Sequence, residues 1–105
     1  MFLVVFRNRK RADYDAAAYG ADAAQMEAMA RAQPGFVSFK SYTSDDGEVV
    51  ALSEWGTAEA ARDWGSQPDH AQVQARGRME YYQDYTLYTC DQPRTHRYER
   101  PGGCA

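Results

Sequence analysis

Net positive charge is missing from this 105-residue chain: twelve lysines and arginines stand against fifteen aspartates and glutamates, for −3 at pH 7. Phosphate backbones are bound by net basic faces, so nucleic acid is not expected as a partner. Cysteine is scarce. Cys90 and Cys104 form no Cys-x-x-Cys pair and make no zinc site by themselves. They read as reduced, structurally minor thiols, with Cys104 exposed in a Pro-Gly-Gly tail. No apolar run is long enough to span a bilayer. The opening Met1-Phe2-Leu3-Val4-Val5-Phe6 is too short for a signal-peptide apolar region, and no small-residue cleavage site follows it. A cytoplasmic location is therefore expected, with no membrane partner. A Ser-His-Asp set, a phosphate-binding glycine loop and a paired-carboxylate motif are also absent, which leaves hydrolase and kinase chemistry without residues to run on.

What is present is concentrated between Trp55 and Tyr82, which holds both tryptophans and His70. Tryptophan brings a flat apolar face with one donor. Histidine titrates near neutral pH without perturbation. Such a segment can form a pocket for a flat, oxidisable ligand, or only a hydrophobic seam with a polar rim. The one basic cluster, Arg7, Arg9, Lys10 and Arg11, reads as a solvated loop or as a site that attracts an anion.

The rest of the chain reads as alternating elements. Phe2 to Phe6 is a short apolar strand ended by Arg7-Asn8-Arg9. Asp13 or Asp15 caps a helix that runs to Ala32, with Tyr19, Ala23, Met26 and Ala30 on one face. Met26 and Met29 read as core. Pro34-Gly35 stops the helix. Phe36 to Thr43 and Val49 to Trp55 are strands joined by the turn signal Asp45-Asp46-Gly47. Thr57 caps a short helix over Glu59 to Trp64. Pro68 opens another that continues to about Arg78. Tyr81 to Cys90 is the last strand. The order predicts an α+β, ferredoxin-like sandwich in which helices cover one face of a four-stranded antiparallel sheet. The domain spans residues 1–90 and a polar tail spans 91–105. A chain this small has a thin core, burying roughly two-thirds of its unfolded surface. The uncovered sheet face, assigned Tyr42, Trp55 and tyrosines of the last strand, is too aromatic for water, which predicts a homodimer.

Several motifs together resemble the antibiotic biosynthesis monooxygenase superfamily of dimeric α+β barrels, over residues 2 to about 90. They are Gln33-Pro34-Gly35-Phe36, Ser53-Glu54-Trp55, Trp64 with Pro68-Asp69-His70 and Arg76-Gly77-Arg78, and Tyr81-Tyr82-x-x-Tyr85. The resemblance implies oxidation of a small planar aromatic molecule by O2 without flavin or added metal. Its heme-degrading branch, the nearest in pattern, implies heme as an alternative ligand or substrate. Asn8 and Trp64 match that branch, whereas its histidine falls nearer Gln74 than His70. A third outcome is a non-catalytic dimeric small-molecule binder or stress protein.

Each residue also has an ordinary use. Asn8 orients an oxygen through its amide or caps the turn after the first strand. Trp64 walls a planar substrate or is simply core. His70 is a general base, its tautomer fixed by Asp69 or another acceptor, or a polar residue of a first helical turn. Arg76 and Arg78 bind an anionic group or pair on the surface with Glu80 or Asp84. Tyr82 and Tyr85 donate a phenol to a ligand oxygen or fill the core and interface. His96 belongs to the polar tail.

Overall fold

The structure is a computed structural model, and it describes residues 1–102. Its elements are β1 (Phe2–Lys10), α1 (Ala16–Arg31), β2 (Phe36–Thr43), β3 (Val49–Trp55), α2 (Ala58–Gly65), α3 (Pro68–Arg76), a π-helical turn (Gly77–Tyr81) and β4 (Tyr82–Asp91). All strand pairs are antiparallel, in the order β2-β3-β1-β4. This is the expected ferredoxin-like α+β arrangement. Each helix starts on a side-chain cap. Asp15 accepts from the Ala18 amide, Thr57 from Ala60 and Gln67 from His70, at 2.9, 3.0 and 2.9 Å. Gly20 leaves α1 unbroken. Among the described residues no helix is long and apolar enough to cross a membrane.

Several boundaries differ from those expected. β1 continues past Phe6 to Lys10, because Arg7 and Asn8 remain paired with both neighbouring strands and Arg9 and Lys10 with β4. α3 ends at Arg76 rather than Arg78, and the chain widens into the π-helical turn. β4 therefore begins at Tyr82 and ends at Asp91. Cys90 is exposed, and Cys104 lies outside the described residues.

Side-chain alternation divides the sheet into two faces. Phe2, Val4, Phe6, Asn8 and Lys10 of β1 point toward the helices, and Leu3, Val5, Arg7 and Arg9 point away. Trp55 was expected on the uncovered face. Instead it lies opposite Phe2, is 2% exposed, and packs beneath the helices. Tyr82 and Tyr85 also face the helix side, where they meet Tyr19 and Phe6. Of the residues assigned to the uncovered face, Tyr42 and Tyr88 are there, beside Val50 and Val5. The core is a cluster at one end of the sandwich: Ala30, Trp55 and Trp64, with Phe2, Val4, Met26, Met29 and Phe36 against them. Phe36 meets Trp55 edge-on at 5.6 Å.

Gly35 secures this end. It holds φ +84°, which only glycine adopts freely, and its carbonyl accepts from the Gly56 amide at 2.7 Å. A Cβ there would sit 2.5 Å from the Ala60 Cβ. Gly35→Ala should lower the unfolding free energy by about 2 kcal/mol or more through backbone strain and overpacking. A urea melt checks this, and an unchanged midpoint would contradict it.

Candidate functional site

The residues that β1 sends under the helices change character along the strand. Phe2, Val4 and Phe6 are apolar; Asn8 and Lys10 are polar. The space above them changes with them. A cavity of about 1410 Å³ lies between sheet and helices, and its lining includes Asn8, Lys10, Trp64, His70, Tyr82 and Tyr85. Arg78 borders it from the π-helical turn. All six site candidates from the sequence thus share one cavity.

His70 is the most constrained of them. It occupies the third residue of α3, with Pro68 fixing the first turn. Its Nδ1 lies 3.0 Å from the Trp64 carbonyl oxygen. A carbonyl only accepts, so Nδ1 carries the proton and Nε2 keeps a free lone pair. The acceptor that fixes the tautomer is this carbonyl, not Asp69. The ring stacks on Trp64 at 4.3 Å and 14°. Burial pushes its pKa below the ordinary histidine value, and the Trp64 carbonyl opposes the shift only in part. His70 is accordingly a neutral base at pH 7. Trp64 is 9% exposed and lies 6.4 Å from Trp55, with planes 24° apart. The Trp64 face that His70 covers is closed to a substrate ring.

Asn8 is 2% exposed, and its Oδ1 accepts from the Lys10 ammonium. An ammonium only donates, so the amide must present oxygen to Lys10 and turn its NH2 away from it. Lys10 sits over the rings of Tyr19 and Tyr82, at 4.5 and 5.3 Å from their centroids. Burial lowers its pKa. The basic cluster is therefore not one solvated loop. Arg7 and Arg9 take alternate strand positions and pair with Glu48 and Asp46, and Arg11 pairs with Asp13. Lys10 turns inward. The extended alternation of β1 carried that signal, and ending the strand at Phe6 hid it.

Burial, reinforced by Tyr19, holds the Tyr82 phenol well above its usual pKa, so it stays protonated and can donate. Tyr85 is half-exposed against Phe6, with ring centroids 5.2 Å apart. Arg76 was expected to pair with Glu80 or Asp84 if it stayed on the surface. It pairs instead with Asp22 of α1, at 2.9 and 3.0 Å. Tyr81 donates to the same carboxylate at 2.7 Å. These bonds tie α1 to the π-helical turn, and the Arg76 guanidinium holds Asp22 below the usual carboxylate range. Gly77 is required in that turn, because a Cβ would meet the Tyr82 ring at 2.6 Å. Tyr19 and Asp22 were both missed as site-forming residues.

Among the described residues no group of three or more His, Cys, Asp or Glu could hold a metal ion. For a heme, His70 offers only Nε2. Gln74, where the heme-degrading branch has its histidine, is one turn further along α3. That branch's donor set is incomplete here.

The family model described as antibiotic biosynthesis monooxygenase matches residues 1–76. A Bacillus subtilis protein, YqjZ, is 30% identical over 69 residues, which cover 66% of this chain and 60% of that protein. The matched segment therefore spans under two-thirds of that relative's length. Solved structures share the fold, two of them at 21% identity. Rv0793 from Mycobacterium tuberculosis superposes with a TM-score of 0.77 at 21% identity, covering 91% of this chain and 98% of that one. A mutant form of SnoaB, a cofactor-independent oxygenase from Streptomyces nogalater, gives 0.74 at 21% identity, covering 90% and 94%.

The His70 geometry has a direct spectroscopic consequence. Nitrogen NMR of the imidazole should show Nδ1 protonated and Nε2 bare at neutral pH, with a midpoint below about 6.5. Because the folded-state pKa is the lower one, the unfolded chain takes up the proton first on acidification. This group therefore costs the fold nothing well above about pH 6.5 and subtracts stability as the pH falls through that value. A midpoint at or above the ordinary histidine value would contradict the assignment.

Proposed function

The chain belongs to the antibiotic biosynthesis monooxygenase family, and from that premise we propose that it is a cofactor-independent monooxygenase of small planar phenols, quinols or anthrones. The observation that carries this reading is His70: a neutral imidazole of fixed tautomer whose free Nε2 belongs to a residue lining a largely apolar cavity. An anthrone-type CH2 loses a proton to that nitrogen. The resulting enolate passes one electron to O2, and the radical pair recombines as a carbon-bound peroxide. Loss of water leaves the quinone, with one oxygen atom in the new carbonyl and the other in water. The Asn8 NH2 donates to the oxygen on which charge develops. Trp64 acts by holding His70, through its carbonyl and its ring. Tyr82 and Tyr85 donate or pack along the substrate edge, and Arg78 closes the mouth.

The same reading includes a homodimer. The helix-free face carries Val5 between Leu52 and Tyr88, and Val50 beside Tyr42. Tyr42 and Tyr88 are 49% and 51% exposed, an aromatic surface that a second copy of the sheet would cover. Light scattering at micromolar concentration should give twice the 11.9 kDa chain mass. A mass of one chain would remove this part of the proposal.

Oxygen uptake with an anthrone and hydroquinone panel tests the chemistry. His70→Ala should slow uptake by about 100-fold or more, as loss of a general base does. Asn8→Ala should slow it by about 100-fold, as loss of one oxyanion donor does. Uptake unchanged in both variants would exclude these roles.

A further inference from the structure

We propose that Lys10 is the anion subsite of the cavity, so that the pocket binds an aromatic ring in its deprotonated, phenolate or enolate form in preference to the neutral molecule. This deepens the oxygenase reading and rests on it for the identity of the ring, but not for the charge.

The four cations near the end of β1 are not equivalent. Arg7, Arg9 and Arg11 each have a carboxylate partner, at 3.1, 2.7 and 3.1 Å. Lys10 has none among the described residues. Arg9 and Arg11 also border the cavity, but Lys10 is the one of the four whose position on the pleat matches that of Asn8, toward the helices. Facing it are Tyr19 from α1, Tyr82 from β4 and the Asn8 amide from its own strand. Both phenols have pKa values raised by burial and stay neutral. His70 and Arg78 supply no negative charge, and the three carboxylates in the cavity lining, Asp22, Glu27 and Asp46, are paired with Arg76, Arg31 and Arg9 rather than with Lys10.

A partly buried ammonium without a counter-ion is unfavourable, and its lowered pKa expresses that penalty. Lys10 makes one hydrogen bond to a side chain, and an ammonium has three donors. The faces of Tyr19 and Tyr82 hold the charge in place but do not neutralise it. An anionic oxygen would complete the set, held by the donors of the ammonium that Asn8 Oδ1 leaves free. Deprotonated substrate is also the species that gives an electron to O2 most readily. The same contact would thus select the ligand and keep it in its reactive form.

The probe is 4-nitrophenol, whose phenolate is coloured and which O2 does not consume, with 4-nitroanisole as its neutral counterpart. Calorimetry compares the two ligands on the full chain, and the visible spectrum reads the ionisation of bound nitrophenol. The native protein should bind the phenolate at least about tenfold more tightly and lower the bound phenol's pKa by about 1 unit or more. Lys10→Met should abolish both the preference and the shift, while Lys10→Arg should retain part of each. Equal binding of the two ligands, no binding of either, or a preference that survives Lys10→Met would overturn the proposal. If Lys10→Met is unfolded by circular dichroism, the Lys10→Arg variant and the native comparison decide. The readout is independent of turnover. A phenolate preference without oxygen uptake would leave the subsite standing and remove the oxygenase, and uptake undiminished in Lys10→Met would do the reverse.

Discussion

The pleat of β1 is the constraint on which the rest of the molecule depends. It is a central strand, paired on both edges, so its register is fixed from two sides. A shift of one residue would move Phe2, Val4, Phe6, Asn8 and Lys10 from the helix face to the opposite face. With the register as it is, one face carries an apolar end and a polar end in a single line. Trp55 closes over the first and the tyrosines of α1 and β4 gather over the second. The candidate site follows from how that line meets the helices, and no separate lobe is needed to make it.

The two ends are mechanically connected. Phe36, Trp55, Trp64 and His70 form a continuous run of aromatic contacts from the core to the cavity. Aromatic pairs of this kind add about 0.5–1.5 kcal/mol beyond area burial, a large share for a chain with so few fully buried side chains. They also fix the orientation of His70, whose Nδ1 bonds the backbone of the same Trp64 it stacks on. Position and protonation state are set by one neighbour. At the other end, Asp22 joins α1 to the π-helical turn through Arg76 and Tyr81, and so keeps Tyr19 and Tyr82 over Lys10. π-helical turns often occur where a helix must place side chains for function.

Much of this was legible in the sequence because it rests on local rules. Thr57, Pro68 and the Asp45-Asp46-Gly47 turn announce their elements, and β2 and β3 fall at the expected residues. The site candidates were legible as a set, since His, Asn and Trp are conspicuous residue types. What was not legible depends on contacts between distant segments. Trp55 belongs to either face until strand pairing decides. Arg76 finds Asp22 across 54 positions of chain. Lys10 looked like one of several surface cations because the polar residues at Arg7 to Arg9 suggested that the strand had ended. Pairing on both edges overrides that local preference.

A planar ring should bind in this cavity with its charged oxygen on Lys10 and its reacting carbon next to His70. A crystal structure of the chain with a bound, oxidation-resistant nitrophenol tests it most directly. The phenolate oxygen should lie within hydrogen-bonding distance of Lys10 Nζ, with the ring facing His70 Nε2. A ring bound on the helix-free face, or one whose oxygen points away from Lys10 into solvent, would contradict it.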